Sequence, residues 1–239
     1  MTNDRVTGLA LIAGSAGIIV TLSLHPSGHD LFDPAKFESA AHTMIAVHSL
    51  GLCSLPVWFM GAFGLSRSVS SADGRGEQLG FAGMVLYGFA AAAMMVAVVF
   101  DGLITPGLAR HIVDTMGKAD QATVAQGWKI AFNFNGMIDM AFMRVFIVAS
   151  SAAIILWSLA VVQSRALAHA LATYGCLFGV ATVIALVSGQ MERSPHIFGM
   201  VLIGQAIWFV TAGVQLCRRR GSGAGQSQPL VAVAPSTLT

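Results

Sequence analysis

Six stretches of about 20 apolar residues follow one another along this 239-residue chain, and their interiors carry almost no charge. An α-helix needs about 20 mostly apolar residues to cross the hydrocarbon core of a bilayer. We therefore predict an all-α bundle of six transmembrane helices, a polytopic integral membrane protein with a single membrane domain over residues 1–220. The predicted spans lie at about residues 6–24, 44–65, 79–100, 140–162, 168–189 and 196–216.

The composition agrees with this class of protein. Only 10% of the residues are charged, whereas soluble domains carry about 25%. The basic residues are dispersed apart from the run Arg218–Arg220, and they form no stripe interleaved with aromatic residues. We therefore predict no nucleic-acid partner. The expected partner is the lipid bilayer, and the apolar surface would also suit a membrane-protein partner or a second copy of the chain.

Proline, glycine and capping residues predict where the helices change direction. Thr105-Pro106 predicts that the third helix stops there and that a short surface helix runs on to about Met116. Asp120 is a candidate cap for a longer helix that continues into the fourth span. Residues 221–239 are Gly/Ser-rich and then small and apolar, which predicts a disordered tail.

The distribution of Lys and Arg predicts the orientation. With both termini in the cytoplasm, seven basic residues fall on the inside and five on the outside, and the difference comes from Arg218–Arg220. We therefore predict cytoplasmic N- and C-termini. Trp58, Trp157 and Trp208 each lie about two turns before the cytoplasmic end of an even-numbered span, which is typical of one side of an interfacial aromatic belt.

Six of the seven histidines fall on or near the opposite, outer face. The strongest local signal is the segment 25–30, HPSGHD, where proline and glycine predict a tight turn that brings two imidazoles and a carboxylate together. Histidine suits zinc, copper, iron and nickel, and carboxylates often complete such sites. The alternative is a polar loop that caps the neighbouring helices. The candidate metal ligands are His25, His29, His42, Asp101 and His196.

The second span carries two histidines with different expected roles. Glu38 lies four residues before His42 on the same helix face, so it could hold one ring nitrogen and leave the other for a ligand. His48 lies six residues after His42, about 240° around the helix, so the two do not point at one narrow site. We therefore predict His48 as an axial haem ligand or as a hydrogen-bond partner of another helix.

Asp101 follows a fully apolar run, and a carboxylate at that depth is costly unless it is paired. Its expected partner is Arg144, a metal ion or one of the histidines. Asn135 and Asp139 are four residues apart and share a helix face. The polar groups expected around the site are Asp30, Glu38, Asn135, Asp139, Arg144 and Glu192.

The runs at residues 23–30 and 46–52, SLHPSGHD and AVHSLGL, resemble those of small bacterial inner-membrane proteins. The resemblance implies an inner-membrane location and no particular activity. The chain lacks the paired mid-helix histidines of membrane cytochromes b and the many HxxxH boxes of di-iron desaturases, so no residue roles are carried over.

Three function hypotheses follow from the sequence. The first is a transition-metal or haem site on the outer face. The second is a small-solute or proton-coupled transporter lined by Asp101, Asn135, Asp139 and Arg144. The third is a non-catalytic subunit of a larger membrane complex. No phosphate-binding loop, HExxH or GxSxG motif is present, so no catalytic residue is predicted and whether the chain is an enzyme stays open.

Overall fold

The structure is a computed structural model that describes residues 3–26, 30–70, 74, 76–116, 118, 121–190 and 196–219, without the side chain of residue 196. Within these ranges the chain is helical and contains no strand. A 3-10 turn occupies Asp30–Phe32 and a π-helical segment occupies Phe100–Ile104. The α-helices are α1 (Asn3–Leu24), α2 (Phe37–Val69), α3 (Glu77–Val99), α4 (Thr105–Thr115), α5 (Ala122–Ser164), α6 (His169–Val187) and α7 (His196–Arg218).

Six helical stretches are long and apolar enough to cross a membrane, which confirms the predicted all-α six-helix bundle. The third of these stretches, Glu77–Thr115, combines α3, the π segment and α4. The fourth is the 43-residue α5, which is longer than the predicted span because it begins at Ala122. Asp120, the predicted capping residue, lies outside the described residues. The tail 221–239 lies outside the described residues, and its disorder stays a prediction.

The predicted aromatic belt is wrong, because Trp58, Trp157 and Trp208 are fully buried. The rings of Trp157 and Trp208 stack with centroids 6.1 Å apart, and Phe209 lies edge-on to Trp58 at 4.9 Å. Tyr87 contacts the same group of rings. The tryptophans therefore form the aromatic centre of the bundle rather than a ring at the lipid headgroups.

Small residues and internal hydrogen bonds explain how the indoles of Trp157 and Trp208 can be buried, whereas the buried N–H of Trp58 has no partner among the described residues. Trp157 Nε1 donates to Ser66 Oγ at 2.8 Å, and Trp208 Nε1 donates to the carbonyl of Leu171 at 3.2 Å. A Cβ added at Gly83 would stand 2.7 Å from Trp157 Nε1, so only glycine lets α3 approach the ring this closely. Since these N–H groups have protein partners, the rings need no contact with the headgroup region.

The described ends of the chain lie at the same end of the bundle, which we call the terminal end. Ser68 Oγ, at the end of α2, donates to Asp4 Oδ1 at 3.1 Å. Arg219, just after α7, lies 3.8 Å from the other oxygen of Asp4. Both contacts fit an even number of spans.

The opposite end of the bundle carries a cap. The cap consists of Asp30–Phe32, the first turns of α2 (residues 37–47), α4 and the first turns of α5 (residues 122–138). These elements share a small apolar core, separate from the main one, whose buried members are Leu31, Phe37, Ala40, Ala41, Met44 and Ala109. With 33 and 43 residues, α2 and α5 exceed the roughly 20 residues that a span requires. Their surplus turns therefore build the cap.

The predicted start of a helix at Thr105-Pro106 is confirmed, but the preceding helix does not stop there. The N–H and the hydroxyl of Thr105 both donate to the carbonyl of Phe100, five residues earlier, which is the spacing of a π-turn. Pro106 has no N–H to donate. The wider turn before it thus carries the chain from α3 into α4 without a break.

Candidate metal centre

Two imidazoles and one carboxylate meet where the bundle joins the cap. Nε2 of His25, just after α1, lies 3.1 Å from Oδ2 of Asp101 on the π segment. Nε2 of His48, on α2, lies 3.0 Å from the same oxygen. The three ligand atoms all lie within 4.8 Å of one another. We call these three residues the His/His/Asp cluster.

The cluster lies about one bilayer thickness from the terminal end. His48 precedes the end of α2 at Val69 by about 21 residues, and Asp101 follows the start of α3 at Glu77 by about 24. At about 1.5 Å per residue these separations are about 32 and 36 Å. The hydrocarbon core is about 30 Å thick. The cluster therefore lies at the edge of the apolar layer.

Gly102 allows the π segment to approach α2. It is buried, and a Cβ added there would overlap Cβ and Cγ of His48. Because Gly102 has no side chain, His48 can pack directly against the π segment and reach the preceding residue, Asp101. π-turns inside helices occur frequently at functional sites, and here the π-turn carries the carboxylate.

Backbone carbonyls fix the orientation of both imidazoles. His25 Nδ1 lies 2.9 Å from the carbonyl oxygen of Pro26, and His48 Nδ1 lies 2.7 Å from that of Met44. Since a carbonyl oxygen only accepts, each Nδ1 carries the proton and donates it. A neutral imidazole protonated at Nδ1 has a lone pair at Nε2. In the neutral form each Nε2 therefore directs a lone pair at the same carboxylate oxygen. The contact becomes favourable with a cation between them or with a proton on Nε2, as in the hydrogen bond of His25 to Asp101.

Burial is uneven across the cluster. The side chain of His48 is 5% exposed, whereas those of His25 and Asp101 are each 34% exposed. The hydrogen bond to Asp101 raises the pKa of His25 above its usual value, although burial opposes this shift. The cluster is thus closed on the His48 side and open on the side of His25 and Asp101.

Asn135 attaches α5 to the π segment. Its side chain is buried, and Nδ2 donates to the carbonyl of Phe100 at 3.1 Å and to Thr105 Oγ1 at 2.8 Å. These two bonds engage backbone and side-chain groups on either side of Asp101. They therefore set the register of α5 against the segment that carries the carboxylate.

Asp139 lies one turn after Asn135 on the same face of α5. Its charge is close enough to act on His25, His48 and Asp101. Its Oδ1 atom is buried and has no hydrogen-bond partner among the described residues. A buried polar atom without a partner is costly and is often explained by an ion or water that binds there. Asp139 thus adds a second carboxylate beside the cluster.

The structure brings together residues that the sequence assigned to different roles. His25 and Asp101, both predicted as metal ligands, join His48, which was predicted as a haem ligand. His42 is exposed on α2 and does not belong to the group. Gly102 was not among the predicted site residues, because its close packing on His48 is visible only in three dimensions. The only signals in the sequence were its position directly after Asp101 and the Thr-Pro pair that follows.

The remaining polar residues that the sequence singled out lie in the cap or on α5. Glu38 does not bond to His42 but forms an ion pair with Arg110 of α4, with an N–O distance of 3.0 Å. Asp30 accepts a hydrogen bond from Lys36 at 3.2 Å. Arg144 is exposed on α5, and the hydrogen-bond partners of Asp101 are the two histidines rather than this arginine.

Three further predicted residues lie wholly or partly outside the described part of the chain. His29 and Glu192 lie outside the described residues, and so does the side chain of His196. Their assignment as ligands or neighbours of the site stays a prediction.

Comparisons with protein-family models, with curated proteins and with solved structures found no match to this chain. Fold and site alone define its class. It is a multi-pass α-helical membrane protein with a His/His/Asp cluster at the end of the bundle opposite the terminal end.

Proposed function

We propose that the chain is a membrane metalloprotein that binds one divalent transition-metal ion through His25 Nε2, His48 Nε2 and Asp101 Oδ2. The observation that carries this proposal is the pair of Nδ1–H bonds to backbone carbonyls, which direct both Nε2 lone pairs at one carboxylate oxygen. Histidines that ligate metals almost always donate the other ring N–H in this way. With both imidazoles neutral, a bound cation would remove the repulsion between their Nε2 lone pairs and the carboxylate oxygen.

The distances within the cluster suit such an ion. Ligand atoms about 2.1 Å from an ion lie about 3.0 Å apart at the ~90° of octahedral coordination and about 3.4 Å apart at the tetrahedral angle of four-coordinate Zn²⁺. The two Nε2–Oδ2 distances are 3.1 and 3.0 Å. Two histidines with one carboxylate form known sites for Fe²⁺ and Zn²⁺. The ligand set therefore favours a borderline ion of this kind over Mg²⁺ or Ca²⁺.

The geometry favours a metal ion over haem. Two axial histidines bind haem iron from opposite faces of a flat macrocycle. Here the rings of His25 and His48 are edge-to-face with centroids 5.0 Å apart, and both nitrogens approach one carboxylate oxygen. No porphyrin fits between groups arranged in this way.

Metal analysis of the purified full-length chain tests the proposal. We expect about one Zn²⁺ or Fe²⁺ per chain in mild detergent and no Soret band. His25→Ala should weaken Zn²⁺ binding about 100-fold, since removal of one ligand costs a substantial share of the binding free energy. His25 is partly exposed at the end of α1, so the bundle should still fold.

His42→Ala is the matched control, because His42 is exposed on α2 and outside the cluster. Its Zn²⁺ affinity should equal that of the unmodified chain. A full-length chain that binds no metal at micromolar free Zn²⁺ would refute the proposal. So would a His25→Ala variant that binds as tightly as the control.

We further propose that the chain resides in a bacterial inner membrane with cytoplasmic termini, so that the cluster faces the periplasm. The excess of Lys and Arg on the terminal side supports this orientation. A reporter that fluoresces only in the cytoplasm should be active when fused after residue 220. Alkaline phosphatase, which is active only in the periplasm, should be active when inserted after Gly189, between α6 and α7. The reverse pattern would contradict the orientation.

A further inference from the structure

Asp139 lies beside the proposed metal site without belonging to the three ligands. The ligands come from α1, α2 and the π segment, whereas Asp139 comes from α5. Its charge acts on the cluster, and one of its oxygens is buried without a partner. The register that Asn135 imposes holds Asp139 in this place.

The proposed ion keeps open coordination positions. Three protein ligands leave at least one position of a four-coordinate ion vacant, and in catalytic sites water or substrate occupies it. His25 and Asp101 are both partly exposed, so water can reach the ion from their side. A bound metal ion makes such a water a nucleophile at neutral pH.

The open side of the site borders an apolar side chain. Leu24, directly before the partly exposed His25, is 57% exposed. The cluster also lies at the edge of the apolar layer. A molecule that enters here meets both hydrocarbon and the ion, which suits an amphiphile with an acyl chain and a polar head.

We infer that the site hydrolyses an ester or amide bond of an amphiphilic substrate, with Asp139 as the general base. This inference rests on the proposed metal site. Asp139 accepts a proton from the water on the ion, and the resulting hydroxide adds to the carbonyl carbon of the substrate. The bond from that carbon to oxygen or nitrogen then breaks, and Asp139 returns the proton to the leaving group. Water and ester give acid and alcohol, and nothing is oxidised or reduced.

The test compares Asp139→Asn with the unmodified chain, both full-length and loaded with Zn²⁺ in detergent micelles. The probes are p-nitrophenyl butyrate and p-nitrophenyl dodecanoate. We expect Zn²⁺-dependent hydrolysis with a higher kcat/KM for the longer ester. Asp139→Asn should lower kcat at least about 100-fold because an amide cannot accept the proton. Asn133→Ala, an exposed position on the same helix, is the matched control and should keep full activity.

Two binding measurements separate this inference from the metal site itself. Zn²⁺ affinity should fall less than about tenfold in Asp139→Asn, because the ion loses the attraction of a nearby charge but keeps all three ligands. Acetohydroxamate should change the visible spectrum of the Co²⁺-loaded chain, because it occupies open positions on the ion. Zn²⁺ binding without hydrolysis of either ester would overturn the inference and leave the metal site standing.

Three other results would overturn it as well. A loss of Zn²⁺ affinity in Asp139→Asn as large as that in His25→Ala would make Asp139 a ligand. A Co²⁺ spectrum that acetohydroxamate leaves unchanged would mean a closed, structural site. Failure of the unmodified chain to bind Zn²⁺ would refute the metal site and the hydrolytic role together.

Discussion

Asp101→Asn should abolish metal binding while the bundle stays folded. Oδ2 of Asp101 is the one atom that both histidines approach, at 3.1 and 3.0 Å, and its carboxylate supplies the negative charge that offsets the ion. Asparagine keeps the shape of the side chain but loses the charge. We expect Zn²⁺ affinity to fall at least about 1,000-fold, more than for His25→Ala, because a ligand and its charge are lost together.

The measurement is a Zn²⁺ titration against a chelating dye, with thermal unfolding in the same detergent as the check on folding. Asp114→Asn is the matched control, since Asp114 is exposed on α4 and lies outside the cluster. It should bind Zn²⁺ like the unmodified chain. An Asp101→Asn variant that binds Zn²⁺ within about threefold of this control would show that the carboxylate is not a ligand.

The helical spans could be predicted from the sequence because the bilayer sets their length. The third predicted span, at residues 79–100, corresponds to α3 at Glu77–Val99, and the fifth, at 168–189, corresponds to α6 at His169–Val187. A run of apolar residues must be about as long as the hydrocarbon core is thick, whatever it packs against. Length and hydropathy therefore suffice to predict six helices of spanning length, but not the starts of α2 and α5, which lie in the cap.

Length and hydropathy could not predict that the three tryptophans are buried. A position about two turns from a helix end suits an interfacial ring and a buried ring equally. What decides is the neighbouring helix, since Gly83 leaves room for Trp157 and Ser66 accepts its N–H. Such complementarity between helices is not visible in the sequence of either one.

The candidate site was predictable only in part, for a similar reason. Counting along the spans places His25 and Asp101 at the same end of the bundle, and the helix period separates His48 from His42. The helix period of α2 cannot show that His48 faces the carboxylate of Asp101 on the π segment. That contact depends on the π segment and on Gly102, neither of which the apolar pattern indicates.

Gly102→Ala should therefore disrupt the site without removing any ligand. The added Cβ would overlap the base of the His48 side chain, so the π segment and α2 must move apart. Overpacking of this kind costs about 1–3 kcal/mol in the free energy of unfolding. Because His48 Nε2 would then leave the reach of Asp101 Oδ2, we expect Zn²⁺ affinity to fall about 100-fold, as it would for loss of one ligand.

Gly107→Ala supplies the control for this substitution. Gly107 is exposed in α4, and a Cβ added there has no atom within 4 Å. Alanine is favoured over glycine in a helix by about 0.5–1 kcal/mol, so this variant should be as stable as the unmodified chain or slightly more so, with the same Zn²⁺ affinity. If Gly102→Ala lowers the unfolding temperature and weakens Zn²⁺ binding while Gly107→Ala does neither, the site depends on the packing of α2 against the π segment. Equal Zn²⁺ affinities would instead mean that the ion does not require His48 and Asp101 to meet across Gly102.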